Sequence, residues 1–187
     1  MNKTLLIVIA LTGMALSAYA QNLVINPGFE TGDFTGYTQS GNTGFTSVST
    51  AMPHSGSYSL DAGPTSSDGF LSQDIATVIG QSYTVSFFLA NTDSTGGPDD
   101  FSASFGGVTG YSITDSGPFD YTQISFDALA TSATSTLQFG FMNGPAYWFL
   151  DDISVTAAVP EPNTLALLSV IGAGALCLCV WRKRKAA

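Results

Sequence analysis

Between Asn22 and Thr156 the chain alternates apolar and polar residues with a period of two, in short runs broken by turn-forming residues. Ten runs read as strands: Asn22–Asn26, Thr46–Thr50, Tyr58–Ala62, Phe70–Ala76, Ser82–Ala90, Phe101–Phe105, Gly110–Thr114, Tyr121–Asp127, Thr134–Met142 and Tyr147–Thr156. Alternation turns one face of a strand to a core and the other to solvent. In the run from Ser82, Tyr83, Val85, Phe87 and Leu89 share a face; in the run from Tyr121, Ile124 and Phe126 do. Clusters of Gly, Pro, Asn and Asp at Pro64–Gly69, Asn91–Asp100 and Asp115–Pro118 separate the runs. No amphipathic helix of useful length interrupts them. The pattern predicts an all-β fold, a two-sheet antiparallel jelly-roll sandwich over residues 21–156. A chain of that size buries roughly two-thirds of its unfolded surface and needs no covalent staples.

The two ends carry a different pattern. Lys3, an apolar stretch Leu5–Leu16 and the small-x-small triplet Ala18-Tyr19-Ala20 read as a signal peptide over residues 1–20, with cleavage after Ala20. Thr164–Trp181 is an uncharged apolar run, and Arg182-Lys183-Arg184-Lys185 follows it at once. As a helix at ~1.5 Å per residue that run reaches roughly 27 Å, close to the thickness of a hydrocarbon core. It is expected to be one transmembrane helix over 164–181, with residues 182–187 a basic cytoplasmic tail and the strand domain outside. Residues 157–163 form the linker. Cys177 and Cys179 lie within the run and point ~200° apart on a helix, so they do not bridge within one chain. The strand domain has no cysteine.

Charge sharpens the picture. The formal net charge is −9, and all five Lys and Arg lie at Lys3 and in residues 182–185. The strand domain therefore contains 13 of the 14 acidic residues, one histidine (His54) and no strong cation. Nucleic-acid binding needs cationic side chains to displace counterions from phosphates and is excluded for this segment, as is phosphoryl chemistry built on Lys or Arg clamps.

Val159-Pro160-Glu161-Pro162, then one apolar helix, then a short Arg/Lys-rich end resembles the PEP-CTERM sorting tail over Val159–Lys185. That resemblance implies recognition by an exosortase at Pro160, Glu161 and Pro162. It implies an inner-membrane-anchored precursor and then release to the cell surface or exopolysaccharide matrix of a Gram-negative bacterium. Two prolines flanking one residue keep this backbone extended, a form that a protease can grip.

A second resemblance rests on three segments: Asn22-Leu-Val-Ile-Asn-Pro-Gly-Phe-Glu30, His54-Ser-Gly-Ser-Tyr-Ser-Leu60 and Tyr147-Trp-Phe-Leu-Asp-Asp-Ile-Ser-Val155. In this order they resemble the galactose-binding-like jelly rolls, in particular carbohydrate-binding modules. The resemblance implies a structural calcium ion where first and last strands lie side by side. Carried over by position, Gly28 gives a carbonyl, Glu30 a carboxylate, and Asp152 or its neighbour Asp151 a second carboxylate, with backbone oxygens around Ser55–Ser57 completing the shell. Calcium takes six to eight such oxygens. Adjacent strand residues face opposite ways. With Ile153 and Val155 on the side of Asp151, Asp152 is the favoured ligand. The competing reading makes Glu30 a turn cap and leaves the Asp pair solvated.

Asn91, Asp93, Thr95 and Gly96 echo the spacing of an EF-hand loop, but Ser102 stands where a bidentate Glu is needed. A solvated loop is the better reading there. For sugar contact the candidates are Tyr37, Tyr111, Tyr121 and Trp148, since sugars stack on aromatic faces in grooves. A Trp in a closing strand is more often core, which would leave Tyr147 as the exposed neighbour. No nucleophile elbow or triad stands out, and His54 reads as a turn residue, so the domain is not expected to be an enzyme. The expectation is an exported protein whose domain binds a neutral glycan or matrix polymer. The alternatives are a structural or adhesive coat without a sugar site and, less favoured, an Asp-dependent polysaccharide hydrolase.

Overall fold

The computed structural model describes residues 21–158. Ten strands make up the domain: β1 (Thr38–Gly41), β2 (Thr46–Ser49), β3 (Ser59–Ala62), β4 (Gly69–Ala76), β5 (Ser82–Asn91), β6 (Asp99–Phe105), β7 (Val108–Thr114), β8 (Phe119–Leu129), β9 (Thr134–Asn143) and β10 (Trp148–Ala157). They form two five-stranded antiparallel sheets, ordered β1-β4-β9-β6-β7 and β2-β3-β10-β5-β8. This is the all-β sandwich that the alternation predicts. The predicted signal peptide, Pro160-Glu161-Pro162 and the 164–181 run lie outside the described residues. Among the described residues no helix is long and apolar enough to cross a membrane.

Two strand assignments change. Thr38–Gly41 is a strand, pairing Gln39 with Leu71, although its four small polar residues carry no apolar alternation. Asn22–Asn26 is not a strand. It still runs beside β10, where β3 has already ended: the Leu23 N–H donates to Val155 O at 2.9 Å and the Ile153 N–H to Pro27 O at 2.9 Å. Its Ile25 is held by the buried Gln73 amide, which accepts from Ile25 N at 2.8 Å and donates to Ile25 O at 3.0 Å.

The core lies between the sheets. Tyr83, Val85, Phe87 and Leu89 all point into it. Phe87 meets Phe139 edge-on at 5.2 Å and Phe101 at 5.7 Å, and Trp148 sits 5.6 Å from Phe101. Burying each such side chain contributes ~1.5–3 kcal/mol against chain entropy.

Antiparallel order gives the sandwich two unlike ends. Every passage at one end crosses between the sheets: 42–45, 63–68, 92–98, 115–118 and 144–147. We term this the loop end. The opposite end has the turns 77–81, 106–107 and 130–133 and the chain exit at Ala158. The β2–β3 connection, residues 50–58, instead folds as a strap over the outer face of the second sheet, where Met52 O accepts from Tyr121 Oη of β8 at 2.7 Å.

Candidate functional site

The residues carried over as calcium ligands do come together, beneath the strap. A Cβ built on Gly28 would lie 3.3 Å from Asp151 Oδ1, 3.7 Å from Asp152 Oδ1 and 3.7 Å from Glu30 Cγ. Strict alternation would let only one of the Asp pair face this place. Both do, because β10 is bulged between Asp151 and Ser154 and Asp152 has a φ of 49°. A bulge adds a residue and restarts the alternation, so Ile153 and Val155 return to the core while Asp151 stays on the strap side. The preceding turn is also forced: Phe29 has a φ of 57° while its ring is fully buried and stacks on Tyr37 at 5.3 Å. Packing thus holds a bulky residue in a backbone region it rarely adopts.

What the strap turns toward these carboxylates is its N–H groups. Asp151 Oδ2 accepts from His54 N at 2.8 Å and Ser55 N at 3.1 Å, while Oδ1 accepts from Asp152 N at 2.7 Å. Glu30 Oε1 accepts from Ser57 N at 2.9 Å and Tyr58 N at 3.0 Å. Asp152 accepts from Ser55 Oγ at 2.6 Å and pairs with His54 Nδ1 at 2.6 Å. The His54 ring stacks on Phe88 at 3.7 Å. His54 is in a connection, as its surroundings in sequence suggest, but it is also a fixed part of the clamp. Burial pushes the Asp151 carboxyl upward; the N–H groups of Ser55, Asp152 and His54 oppose this, and the Asp152 charge adds to it. The carboxylates of Glu30 and Asp151 thus face strap amides, and that of Asp152 faces the Ser55 hydroxyl and the His54 ring. Among the described residues no three His, Cys, Asp or Glu side chains are arranged to hold a metal ion.

The aromatic candidates do not share a surface. Trp148 is fully buried and donates from Nε1 to Met142 O at 3.0 Å, so it is core and offers no stacking face. Tyr37 packs on Phe29 with its hydroxyl buried and unpartnered, and burial pushes that hydroxyl's pKa up. Tyr111 lies 6.4 Å from both Phe87 and Phe101, and Tyr121 holds the strap.

The loop end is concave, with one hollow of about 370 Å³ between Met52 and Asp120 and others around Pro145. Two adjoining hollows share Thr65 and Pro145. The larger, about 540 Å³, is lined by Thr65, Ser66, Pro98, Met142, Gly144 and Pro145. The smaller, about 240 Å³, adds Phe45, Gly63, Ala146 and Tyr147. Phe45 is 68% exposed with a φ of 57°, so the left-handed turn lifts its ring clear of the core. Tyr147 lies against Gly63, where any Cβ would strike its ring at 2.8 Å. Two rings, a proline, Thr65 and Ser66 line a cleft of the kind that takes the apolar face and the hydroxyls of a sugar. Tyr147 was expected as the exposed neighbour of a core Trp; it is half-buried, packed on Gly63, with its ring lining the cleft. Phe45, Thr65 and Pro145 were not expected, because an apolar residue in a turn carries no periodic signal.

A buried polar knot braces these loops. Asn91 Nδ2 donates to Asp99 Oδ2 at 2.7 Å and Ser116 O at 3.0 Å, and Asn143 Nδ2 donates to Asn91 Oδ1 at 2.9 Å. Asp93 accepts from Thr95 N at 2.7 Å and Gly97 N at 3.1 Å, and the Thr95 bonds hold its carboxyl below the ordinary value. The solvated loop expected at 91–100 is thus anchored at both ends, with Asn91, Asp93 and Asp99 buried.

No family model matches the chain, and no curated protein matches it by sequence. Solved structures do match the fold. A family 61 carbohydrate-binding module in complex with β-1,4-galactotriose superposes with a TM-score of 0.59 at 21% identity, over 74% of this chain and 100% of that one. The first family 22 xylan-binding domain of Paenibacillus barcinonensis Xyn10C gives 0.56 at 15%, over 78% and 100%. The K3 cleaved adhesin domain of Lys-gingipain from Porphyromonas gingivalis gives 0.55 at 14%, over 71% and 96%. Residues 21–158 thus share the two-sheet fold of these modules and of the adhesin domain.

Proposed function

We propose that this chain is an exported protein whose sandwich binds a neutral carbohydrate, without catalysis, in the cleft between Phe45 and Tyr147. The observation that carries the reading is this pair of rings beside Thr65 and Pro145, at the end of the domain where five braced loops converge. The absence of Lys and Arg from residues 21–158 disfavours acidic sugars, which need cationic partners. The fold likeness to modules solved with galactotriose or named for xylan binding supports the ligand class and leaves the particular glycan open. The test is calorimetric titration with galactan, xylan and neutral exopolysaccharide. Binding by the parent, weakened at least tenfold in Phe45→Ala and Tyr147→Ala, supports the site; about 1.4 kcal/mol per tenfold is the scale of one stacking contact. Binding that neither substitution changes would move the site elsewhere. Silence on every glycan would favour a structural or adhesive coat.

Delivery belongs to the same proposal. Residues 1–20 direct export, Pro160-Glu161-Pro162 is the exosortase signal, and 164–181 anchors the precursor in the inner membrane until release to the surface or matrix. A structural calcium ion at Gly28, Glu30, Asp151 and Asp152 is a second reading, favoured by one observation: Asp151 is fully buried and no Lys or Arg in the domain neutralises it. Those carboxylates would hold the ion, which would supply charge neutralisation and a tie between chain start and β10. A melting temperature raised by calcium and lowered by EDTA supports it, and an EDTA-insensitive one removes it.

A further inference from the structure

The end of the sandwich opposite the cleft differs from the rest of the surface in carrying no charge. Residues 21–29, 75–82, 105–110, 128–136 and 155–158 contain no Asp, Glu, Lys, Arg or His. Two carboxylates border it: Asp74, which accepts from Thr136 Oγ1 at 2.6 Å, and Asp127, two residues before Leu129 on β8. Asp68, Asp93, Asp99, Asp100, Asp115 and Asp120 crowd the loop end instead.

This end also exposes large apolar side chains. Val78 is 67% and Ile79 69% exposed on the β4–β5 turn, and Leu129 is 60% exposed at the end of β8. They form one group, because Leu129 pairs with Ser82 and the turn is bonded to its neighbour: Gly80 N donates to Ala130 O at 2.8 Å and Ala130 N to Gln81 O at 2.9 Å. Tyr83 Oη accepts from Val78 N at 2.9 Å. The backbone beneath these side chains is fixed, so they are held outward.

The chain leaves the domain beside them. Ala158 N donates to Ser82 O at 2.9 Å, and Gln81 Nε2 donates to Ala158 O at 2.8 Å. Only residues 159–163 separate Ala158 from the apolar run that begins at Thr164. Fully extended, that linker reaches at most ~18 Å. A β-strand of ten residues is roughly 33 Å long. The linker is thus too short to bring the loop end to the surface from which the run emerges, and the charge-free end stays within reach of it.

We propose that this end is a membrane-contacting foot: Val78, Ile79 and Leu129 enter the boundary between headgroups and acyl chains of the bilayer that holds residues 164–181. The inference rests on the reading of that run as a membrane span. Its occupant is a lipid surface. The apolar tips of the foot carry no charge of their own and, with two carboxylates bordering them against six at the loop end, meet less repulsion from anionic headgroups. The sandwich then stands on its foot with the Phe45–Tyr147 cleft pointing away from the membrane, toward matrix polymer.

The experiment uses the full-length chain in a Cys177→Ser, Cys179→Ser background, reconstituted in vesicles of phosphatidylethanolamine and phosphatidylglycerol. A nitroxide is placed in turn at Ile79→Cys, Leu129→Cys and Phe45→Cys, and its collisions with oxygen and with a water-soluble nickel chelate are measured. Labels at 79 and 129 are expected to show several-fold fewer nickel collisions than the label at 45, with oxygen collisions kept high. Val78→Asp combined with Ile79→Asp should return the label at 129 to water. Protein that floats with the vesicles but has labels at 79 and 45 equally open to nickel would overturn the foot and leave the anchor standing. Shielding of label 79 from both reagents would also overturn it, because that is burial against protein. Protein that does not float would remove the anchor reading and the foot with it.

Discussion

Replacing Asp151 with alanine removes the acceptor that holds the strap to β10. Two tertiary bonds are lost, from His54 N at 2.8 Å and Ser55 N at 3.1 Å, along with the local bond from Asp152 N at 2.7 Å. Hydrogen bonds to charged groups contribute ~1.5–3 kcal/mol each, so the tertiary pair amounts to about 3–6 kcal/mol. Against this stands the cost of holding a carboxylate at 0% exposure with no cation in the domain. Burial raises the Asp151 pKa, so the folded protein tolerates the charged form less well than the unfolded chain does. Part of the gain is cancelled, leaving a net loss of about 2–4 kcal/mol in Asp151→Ala. For a domain of this size that lowers the melting temperature by roughly 5–15 °C. Calorimetry at neutral pH in EDTA measures it without contribution from any bound cation. The pH dependence supplies a second check. A raised folded pKa means that the stabilisation from Asp151 is fullest below its ordinary value of 3.8 and declines as pH rises through the folded value. The gap between parent and variant should be widest in acid and narrow toward neutrality. A variant melting within about 1 °C of the parent at neutral pH would refute the clamp, while a gap that widens as pH rises would show that the strap N–H groups outweigh burial and that the Asp151 pKa is not raised.

Three further outcomes follow from single positions. Tyr37→Phe removes a buried hydroxyl that has no partner among the described residues and should leave stability unchanged or raise it by up to about 1 kcal/mol in urea unfolding. Gly110→Ala on β7 should cost ~1–3 kcal/mol, because a Cβ there would fall inside the Phe126 ring of β8 and force the two edge strands apart; thermal melting reads it. Asp100→Asn should stabilise modestly at neutral pH and converge with the parent in acid. Burial first, then the charges of Asp68, Asp99 and Asp115, raise the Asp100 carboxyl, and a half-exposed group of this kind gives under about 1 kcal/mol. A pH series of melting temperatures for this pair tests the sign.

The sandwich was legible because nine of its strands carry the alternation that a half-buried sheet requires, and β5 shows why: Tyr83, Val85, Phe87 and Leu89 all face inward. β1 was hidden because Thr38-Gln39-Ser40-Gly41 is an edge strand defined by its pairing with β4, with little side-chain burial to mark it. The gathering of Gly28, Glu30, Asp151 and Asp152 followed from resemblance in sequence. Their geometry did not, since the bulge at Asp152 is a backbone event that period-two reasoning cannot register. The cleft was the least legible part. Its residues come from three connections, 42–45, 63–68 and 144–147, which become neighbours only when the two sheets stack.

A domain with 13 carboxylates and no Lys or Arg has to dispose of its negative charge without ion pairs to Lys or Arg. Its solution is to use carboxylates as acceptors for N–H and hydroxyl groups. Asp33 takes Thr35 N and Thr31 Oγ1, and these bonds hold its carboxyl below the ordinary value. Across the sheets, Asp61, Asp74 and Asp127 each accept a cross-strand hydroxyl, from Ser47, Thr136 and Thr84 at 2.6–2.7 Å. Glu30 and Asp151 do the same with strap amides, and Asp93 and Asp99 with loop amides. This explains the Ser and Thr richness of the strands, because each hydroxyl facing a carboxylate substitutes for a cation at lower desolvation cost. It also has a consequence for assembly. Hydrogen bonds from neutral donors do not cancel net charge, so copies of the domain repel each other at long range. That repulsion is strongest at low ionic strength and is screened within about 8 Å at 0.15 M salt.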